Sequence, residues 1–326
     1  MAQTGKQLAT ELCSRFPHTP TRSLARRLYA ENKERFRDYE AARGAIRTAR
    51  GEHGKRNRRH ATTTKLPPQS CPTSLAEPWA PLDLGGGCRV LSLSDVHIPY
   101  HDRKALQKAV AFAKRKHRPD VLLLNGDYGD FYNISRYERD PKRRDLRAEV
   151  ELQEQGLRWL RSEFPRARFV FKCGNHEDRW DKFIWNKAVE LWNLDAVQLH
   201  NLLGFDKLGI ERVNDEPIMA GELPILHGHE IGKGIFSPVN PARGAFLRTN
   251  HTVLIGHLHR SSAHAETNMW HSATLAWSQG CLCEMTPSYA RVNRWNQGFC
   301  VVDVASDNSF NLHNYRISRE YEVKTA

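Results

Sequence analysis

The sequence predicts a layered α/β domain preceded by a small, basic, all-α domain. Three observations lead there. From Arg89 onward, short apolar strand patterns alternate with amphipathic helix patterns, and the chain turns strand-rich toward its end. Residues 61–87 hold five of the chain's sixteen prolines and finish on Gly85, Gly86 and Gly87, the composition of a linker. Ahead of them, residues 1–60 carry helical periodicity and much of the net charge. The expected domains are therefore 1–60, basic and helical; 61–87, a linker; and 88–326, the α/β domain.

Charge separates these domains sharply. Residues 1–65 hold 16 Lys/Arg against 6 Asp/Glu, whereas residues 66–326 hold 33 against 31, so most of the formal +12 lies in the first segment. A concentrated positive region attracts polyanions, and nucleic acid is the expected partner; a solvated basic tail is the other reading. No stretch reaches the roughly 18 consecutive apolar residues of a membrane-spanning helix. The start, MAQTGKQLATELCSRFP, lacks the apolar core of a signal peptide. No membrane partner and a cytoplasmic location are expected. Seven cysteines without a CxxC argue against both a disulfide framework and a structural zinc knot.

In the first domain, residues 4–16, 22–30 and 33–50 read as three helices. Leu24, Ala25 and Leu28 recur at helical spacing; Phe36, Tyr39, Ala42 and Ile46 share a face of the third, with Arg35, Arg43, Arg47 and Arg50 elsewhere on it. Three small helices with a basic last one resemble a helix-turn-helix domain. In the second domain, RVLSLS is a strand, DRKALQKAVAFAKRKH a helix, DVLLLN a strand, RRDLRAEVELQEQGLRWLRSEF a long helix and ARFVFKC a strand. The chain turns helical again after Glu177, and LPIL, TVLI and FCVVDV are later short strands.

The polar residues gather where these strands stop. SDVH supplies Asp95 and His97, NGDYGD supplies Asp127, CGNHED supplies Asn175 and His176, LHGHE supplies His227 and His229, and GHLH supplies His257 and His259. Ligand sites of open α/β sheets form at the carboxyl ends of strands. A carboxylate ending a buried strand such as VLLLNGD is costly unless something pairs with it. Converging Asp, His and Asn side chains suit divalent manganese, iron or zinc, which would compensate that charge.

The ordered set DxH, GDxxD, GNHE, H and GHxH resembles the calcineurin-like metallophosphoesterases over about residues 88–304. The resemblance implies a four-layer αββα sandwich with mixed sheets and two divalent metal ions at the sheet edge, manganese first, with iron, zinc, nickel or cobalt as alternatives. It implies that Asp95, His97, Asp127 and His259 hold one metal, and Asp127, Asn175, His227 and His257 the other, with Asp127 bridging. His176 would then serve the scissile phosphate as proton donor or charge stabiliser. Two ions roughly 3.5–4 Å apart clamp phosphoryl oxygens and lower the pKa of a bridging water, whose hydroxide attacks in line. Asp130 and Glu177 are candidates to orient ligand histidines, with helix capping or a surface position as the other reading. His229 is a candidate contact to substrate or metal-bound solvent. Arg179 stands near where protein phosphatases of this superfamily keep a phosphate-gripping arginine, though a surface salt bridge is the favoured reading.

Those phosphatases also carry GDxVDRG, whereas this chain has GDYGDFYN, with no arginine after Asp130. That departure moves the expected substrate away from phosphoproteins. The arginine-rich stretch ISRYERDPKRRD, residues 134–145, reads either as a route for a phosphate backbone or as a solvated loop. Trp180, Trp185, Trp192, Trp270, Trp277 and Trp295 are expected in the core rather than as base-stacking platforms, and Cys281 and Cys283 as packing residues. The resulting expectation is a dimetal phosphoester hydrolase, favoured as a phosphodiesterase or nuclease on DNA. The alternatives are a phosphomonoesterase acting on proteins, nucleotides or nucleic-acid ends, and a nucleic-acid-binding protein with a vestigial catalytic domain.

Overall fold

The computed structural model describes residues 3–52, 70–76, 78–135, 145–232 and 239–326. The basic run after residue 52, much of the linker and the arginines of residues 136–144 lie outside the described residues. The chain divides into two compact units, Met1–Glu77 and Pro78–Ala326.

The first unit contains α1 (Gly5–Arg15), α2 (Thr21–Glu31) and α3 (Tyr39–Ala49). Thr4 and Gln7 close a capping box on α1. The helices bury Ala9, Leu12, Leu24, Leu28, Phe36, Ala42 and Ile46 against one another. The third helix starts later than expected because Asp38, in extended backbone, caps it by accepting from the Ala41 N–H. Its arginines are engaged within the unit: Arg43 with Glu40 at 3.1 Å, Arg47 with Glu52 at 3.2 Å, and Arg50 with the Thr21 hydroxyl at 2.8 Å. The exposed Arg22 and Arg26 of α2, by contrast, meet no carboxylate among the described residues.

The second unit is a mixed α/β sandwich. One sheet has the order β13-β12-β11-β2-β3-β4-β5. Its strands are β2 (Cys88–Leu93), β3 (Val121–Asn125), β4 (Arg168–Lys172), β5 (Ile210–Val213), β11 (Gly298–Val304), β12 (Phe310–Ile317) and β13 (Val323–Thr325). The other has the order β1-β6-β7-β8-β10-β9, built from β1 (Leu82–Asp83), β6 (Ile218–Ala220), β7 (Leu223–Leu226), β8 (Val253–Ile255), β9 (Ser262–Thr267) and β10 (Ala273–Ser278). Val90, Leu123, Val170 and Val302 from the first sheet pack with Ile218, Ile225 and Leu254 from the second. On the outer face of the first sheet lie α4 (Arg103–Lys116), α5 (Leu146–Glu163) and α6 (Asp178–Lys187), whose Ala109, Leu157 and Ile184 join Leu122 and Phe169. On the outer face of the second lies α9 (Pro241–Thr249), whose Ala242 and Ala245 meet Val253 and Ile255.

Strand direction positions the site. β2, β3, β4 and β5 run parallel, and so do β7 and β8. β3 is buried at every residue, which explains its unbroken apolar run. The second unit begins earlier than the expected boundary at 88. Leu82 and Asp83 add an edge strand parallel to β6, and Leu84 is buried. Pro81 precedes that edge, where its missing N–H costs no ladder bond. Among the described residues, no helix is long and apolar enough to cross a membrane.

Candidate metal centre

The parallel strands deliver their following loops to one edge. Asp95 and His97 follow β2, Asp127 follows β3, Asn175 and His176 follow β4, His227 follows β7, and His257 and His259 follow β8. Five of these residues, Asp95, His97, Asp127, His257 and His259, have left-handed backbone with φ between 51° and 64°. Non-glycine residues adopt it only where the surroundings over-determine it, and such strain clusters at functional sites. Gly126 (φ +80°) has a second reason to lack a side chain, since a Cβ there would collide with the His227 imidazole. A Cβ on Gly174 would likewise strike the Asp127 carboxylate.

The side chains form two adjoining groups. In one, His259 Nε2 lies 3.1 Å from both Asp95 Oδ1 and His97 Nε2. In the other, Asp127 Oδ2 lies 3.2 Å from His227 Nε2, and His257 completes a cluster able to hold a metal. Asp127 Oδ2 is also 4.0 Å from His97 Nε2, so this carboxylate stands between the groups. Two buried polar atoms of the site, Asn175 Oδ1 and His257 Nδ1, lack a hydrogen-bond partner. Orphaned buried acceptors of this kind are rare and need an explanation. An oxygen-and-imidazole donor set with unused lone pairs fits divalent cations.

Electrostatics tell the same story from the protonation side. Burial alone would raise the Asp95 and Asp127 carboxyls; the neighbouring histidines, His259 for Asp95 and His176 with His227 for Asp127, hold both below the ordinary range. Burial pushes the partner imidazoles down, yet Asp127 raises His227 to about 10 and Asp95 raises His259 to about 9. His257, pressed by burial and by the His227 charge, falls to about 4. Without metal, the buried acids thus borrow histidine protons as counter-charge.

The supporting residues differ from expectation in instructive ways. Asp130 Oδ1 lies 3.0 Å from His97 Nδ1. Burial and the His176 charge hold His97 below its ordinary value while its hydrogen bonds hold Asp130 ionised, so Nδ1–H donates and the Nε2 lone pair faces the site. Asp130 therefore fixes the tautomer and orientation of the His97 ring. Glu177 does not: it is 1 % exposed and accepts from the backbone N–H groups of Asp127 (3.0 Å), Gly129 (3.0 Å) and Gly174 (2.8 Å). It fixes the loops after β3 and β4 rather than a histidine. Arg179 makes no salt bridge among the described residues. It donates to the Asp130 carbonyl at 2.8 Å and to His176 Nε2 at 2.8 Å. His176 Nδ1 donates to the same carbonyl at 2.8 Å, which leaves Nε2 as the ring atom facing Arg179. Burial opposes charge on His176, but Asp127 raises its pKa above the ordinary value, leaving it ready to take a proton.

His229 sits on the rim, 3.9 Å from Asp215 and 4.0 Å from Asp178, with its ring centroid 5.4 Å from that of His227. Glu230 was visible in LHGHE but carried no assigned role. It accepts from the N–H groups of His227 (3.1 Å) and Gly228 (2.6 Å) and pairs with fully buried Lys172 at 3.0 Å. Cys281 and Cys283 are buried as expected of packing residues, yet Cys283 Sγ also lies 3.7 Å from His259 Nδ1. The tryptophans divide. Trp180 and Trp277 pack on core clusters, Trp185 and Trp270 are exposed, and Trp295 lies against His259 with ring centroids 4.2 Å apart. A cleft of about 550 Å³ opens over the centre, lined by ligand candidates, Arg179, His229, Tyr289 and Trp295.

The chain is similar to several known proteins. The chain is 26% identical over 228 residues to the Gene 54 protein of Mycobacterium phage L5, covering 66% of this chain and 89% of that protein. It is 28% identical over 185 residues to the Gene 54 protein of Mycobacterium phage D29, covering 55% and 72%. A solved metallophosphoesterase from Sphaerobacter thermophilus aligns at 16% identity with a TM-score of 0.38, covering 71% of this chain and 88% of that one. The family model for calcineurin-like phosphoesterases matches residues 88–279, the span that contributes every residue of both side-chain groups. This chain belongs to the calcineurin-like phosphoesterases and is a metal-dependent phosphoester hydrolase.

Proposed function

We propose that the enzyme is a dimetal phosphodiesterase acting on nucleic acid, with DNA the favoured substrate. The observation that carries this reading is the segregation of charge, 16 cationic against 6 acidic residues in the first 65. A small-molecule phosphatase has no use for such a segment, whereas a polyanion rewards it through counterion release. The exposed Arg22 and Arg26, which meet no carboxylate among the described residues, make α2 the favoured docking helix, in place of α3, whose arginines are internally paired.

Asp95, His97, Asp127 and His259 would hold one cation, and Asp127, Asn175, His227 and His257 the other, manganese being the first candidate for this oxygen-and-imidazole set. Bound there, two divalent cations supply Lewis-acid neutralisation of phosphoryl charge and a water acidified to near-neutral pKa. The chain's own residues do the rest. Asp127 stands between the groups and offers one carboxylate to both. Asp130 and the Asn125 carbonyl, 2.8 Å from His227 Nδ1, hold the two imidazoles with Nε2 facing inward. Arg179 supplies a planar cation that phosphate oxygens can engage as a fork. Turning Arg179 toward phosphate frees His176 Nε2, which can then hold a proton beside the leaving oxygen.

The test is direct. Manganese-loaded, full-length protein is incubated with end-labelled DNA over a series of salt concentrations. Cleavage that weakens steeply with salt, and less steeply in an Arg22→Ala/Arg26→Ala variant, is expected. Turnover of a simple phosphomonoester with no cleavage of any DNA would overturn the reading.

A further inference from the structure

The segment between β10 and β11 is not used by the metal centre, yet it forms one wall of the cleft. Residues 285–297 read MTPSYARVNRWNQ, with two arginines, two large aromatics and no acid. Tyr289 and Trp295 line the same cleft as Asp127, His176 and Arg179. Their rings stand 6.3 Å apart at 61°. Trp295 packs on His259, which gives it a structural role. Tyr289 has no such role: it is 70% exposed and belongs to no core cluster. Arg291 and Arg294 are exposed and pair with no carboxylate among the described residues.

The loop is braced. Asn293 Nδ2 donates to the carbonyls of Met285 and Ala290, both at 2.7 Å, and the Trp295 N–H donates to Asn293 Oδ1 at 2.9 Å. The Asn296 N–H donates to the His259 carbonyl at 2.9 Å, tying the loop to a ligand candidate. The aromatics are thus held at the rim at little further entropic cost, the preorganisation a binding surface needs.

Resting on the nucleic-acid reading, we infer that this loop is a stacking grip for a single strand: a base beside the scissile phosphate stacks on the face of Tyr289 with Trp295 against its edge, while Arg291 and Arg294 meet flanking phosphates. Aromatic faces interleaved with cations recognise unstacked bases without reading sequence. Bases inside a duplex are already stacked and present no free face to such a platform. The substrate class is therefore single-stranded nucleic acid, or a strand frayed from a duplex.

The experiment uses full-length protein and single-stranded oligonucleotides carrying 5-iodo-deoxyuridine. Irradiation should crosslink the base to the peptide containing Tyr289 and Trp295, and unlabelled single strand should compete far better than duplex. In parallel, KM is compared between a normal strand and an abasic strand of equal length. The wild type should favour the normal strand about tenfold, in line with roughly 1–3 kcal/mol per stacked base, and Tyr289→Ala should collapse that ratio toward one. Crosslinks confined to other peptides, or an unchanged ratio in Tyr289→Ala, would overturn the grip even if the enzyme cuts DNA. A crosslink at this loop in a protein that cleaves no nucleic acid would sustain the grip and remove the nuclease reading instead.

Discussion

Replacing Glu177 by glutamine separates two effects that pull in opposite directions. Glu177 Oε2 accepts from the N–H groups of Asp127 and Gly174, and Oε1 from Gly129. Glutamine keeps the shape but has one acceptor atom. Its less damaging orientation leaves oxygen toward Asp127 and Gly174 and turns the NH₂ against the Gly129 N–H. A buried donor left unmade costs about 1–3 kcal/mol. Against this, burial and then the Asp127 charge hold the Glu177 carboxyl above the usual glutamate range, so its ionised form itself costs stability, which glutamine relieves. In metal-free protein the two effects offset, and the expected change is below about 1 kcal/mol. Cations beside Asp127 cancel much of the repulsion, so in loaded protein the lost hydrogen bond dominates at about 1–2 kcal/mol, which is roughly 5–30-fold in metal affinity. Calorimetric titration with manganese reads that loss, and thermal melting of metal-free protein should shift little. Equal destabilisation with and without metal would refute the reasoning, because Glu177 would then be only a clamp between loops.

Four further outcomes follow from the same geometry. Gly126→Ala imposes a side chain on left-handed backbone, about 1–2 kcal/mol by itself, and drives it into His227; metal analysis should find one ion per chain where the wild type holds two. Asp130→Asn takes the negative charge from the acceptor that fixes the His97 tautomer, so metal affinity should fall about 10–100-fold with little change in melting temperature. Lys172→Met strands the partly buried Glu230 carboxylate and should cost about 3–5 kcal/mol at pH 7 by urea unfolding. The Lys172 charge overrides burial and depresses the Glu230 carboxyl to about 2, so this stabilisation is complete above the unfolded value of 4.5 and is lost as pH falls toward 2; the gap between wild type and variant should narrow over that window. Metal loading at pH 7 should release protons from His227 and His259, whose folded values are about 10 and 9, and calorimetry in buffers of different ionisation enthalpy counts them.

Much of the fold was legible because burial imposes residue type. β3 is buried on both faces and reads as VLLLN; α5 buries one stripe and reads as an amphipathic helix. Among the strands that escaped notice, two are under weak demand. β9 is largely exposed and reads SAHAET, which carries no apolar alternation, and β1 is two residues at a sheet edge. The linker's composition was equally misleading near its end, since Leu82 and Leu84 are enough to recruit an edge strand between prolines and glycines. The ligand candidates were legible for a different reason. Chemistry demands Asp, His and Asn, and parallel strands bring their ends to one edge, so residue type and position both left a mark.

The residues misread or passed over share one property: each holds backbone groups. Glu177 serves three N–H groups, Glu230 serves two, and Arg179 grips the Asp130 carbonyl. A backbone partner has no identity in a sequence, so no pairing of residue types announces it. Yet such partners are what this site requires. Five ligand candidates hold left-handed backbone, each costing on the order of 1–3 kcal/mol, and Asp127 must keep that conformation while buried beside other acids. Side-chain contacts alone cannot dictate φ; hydrogen bonds to the N–H groups of Asp127, Gly129, Gly174, His227 and Gly228 can. Two carboxylates, one after β4 and one after β7, therefore hold the backbone at Asp127 and His227, and the metal centre depends on them as much as on the residues that face the cations.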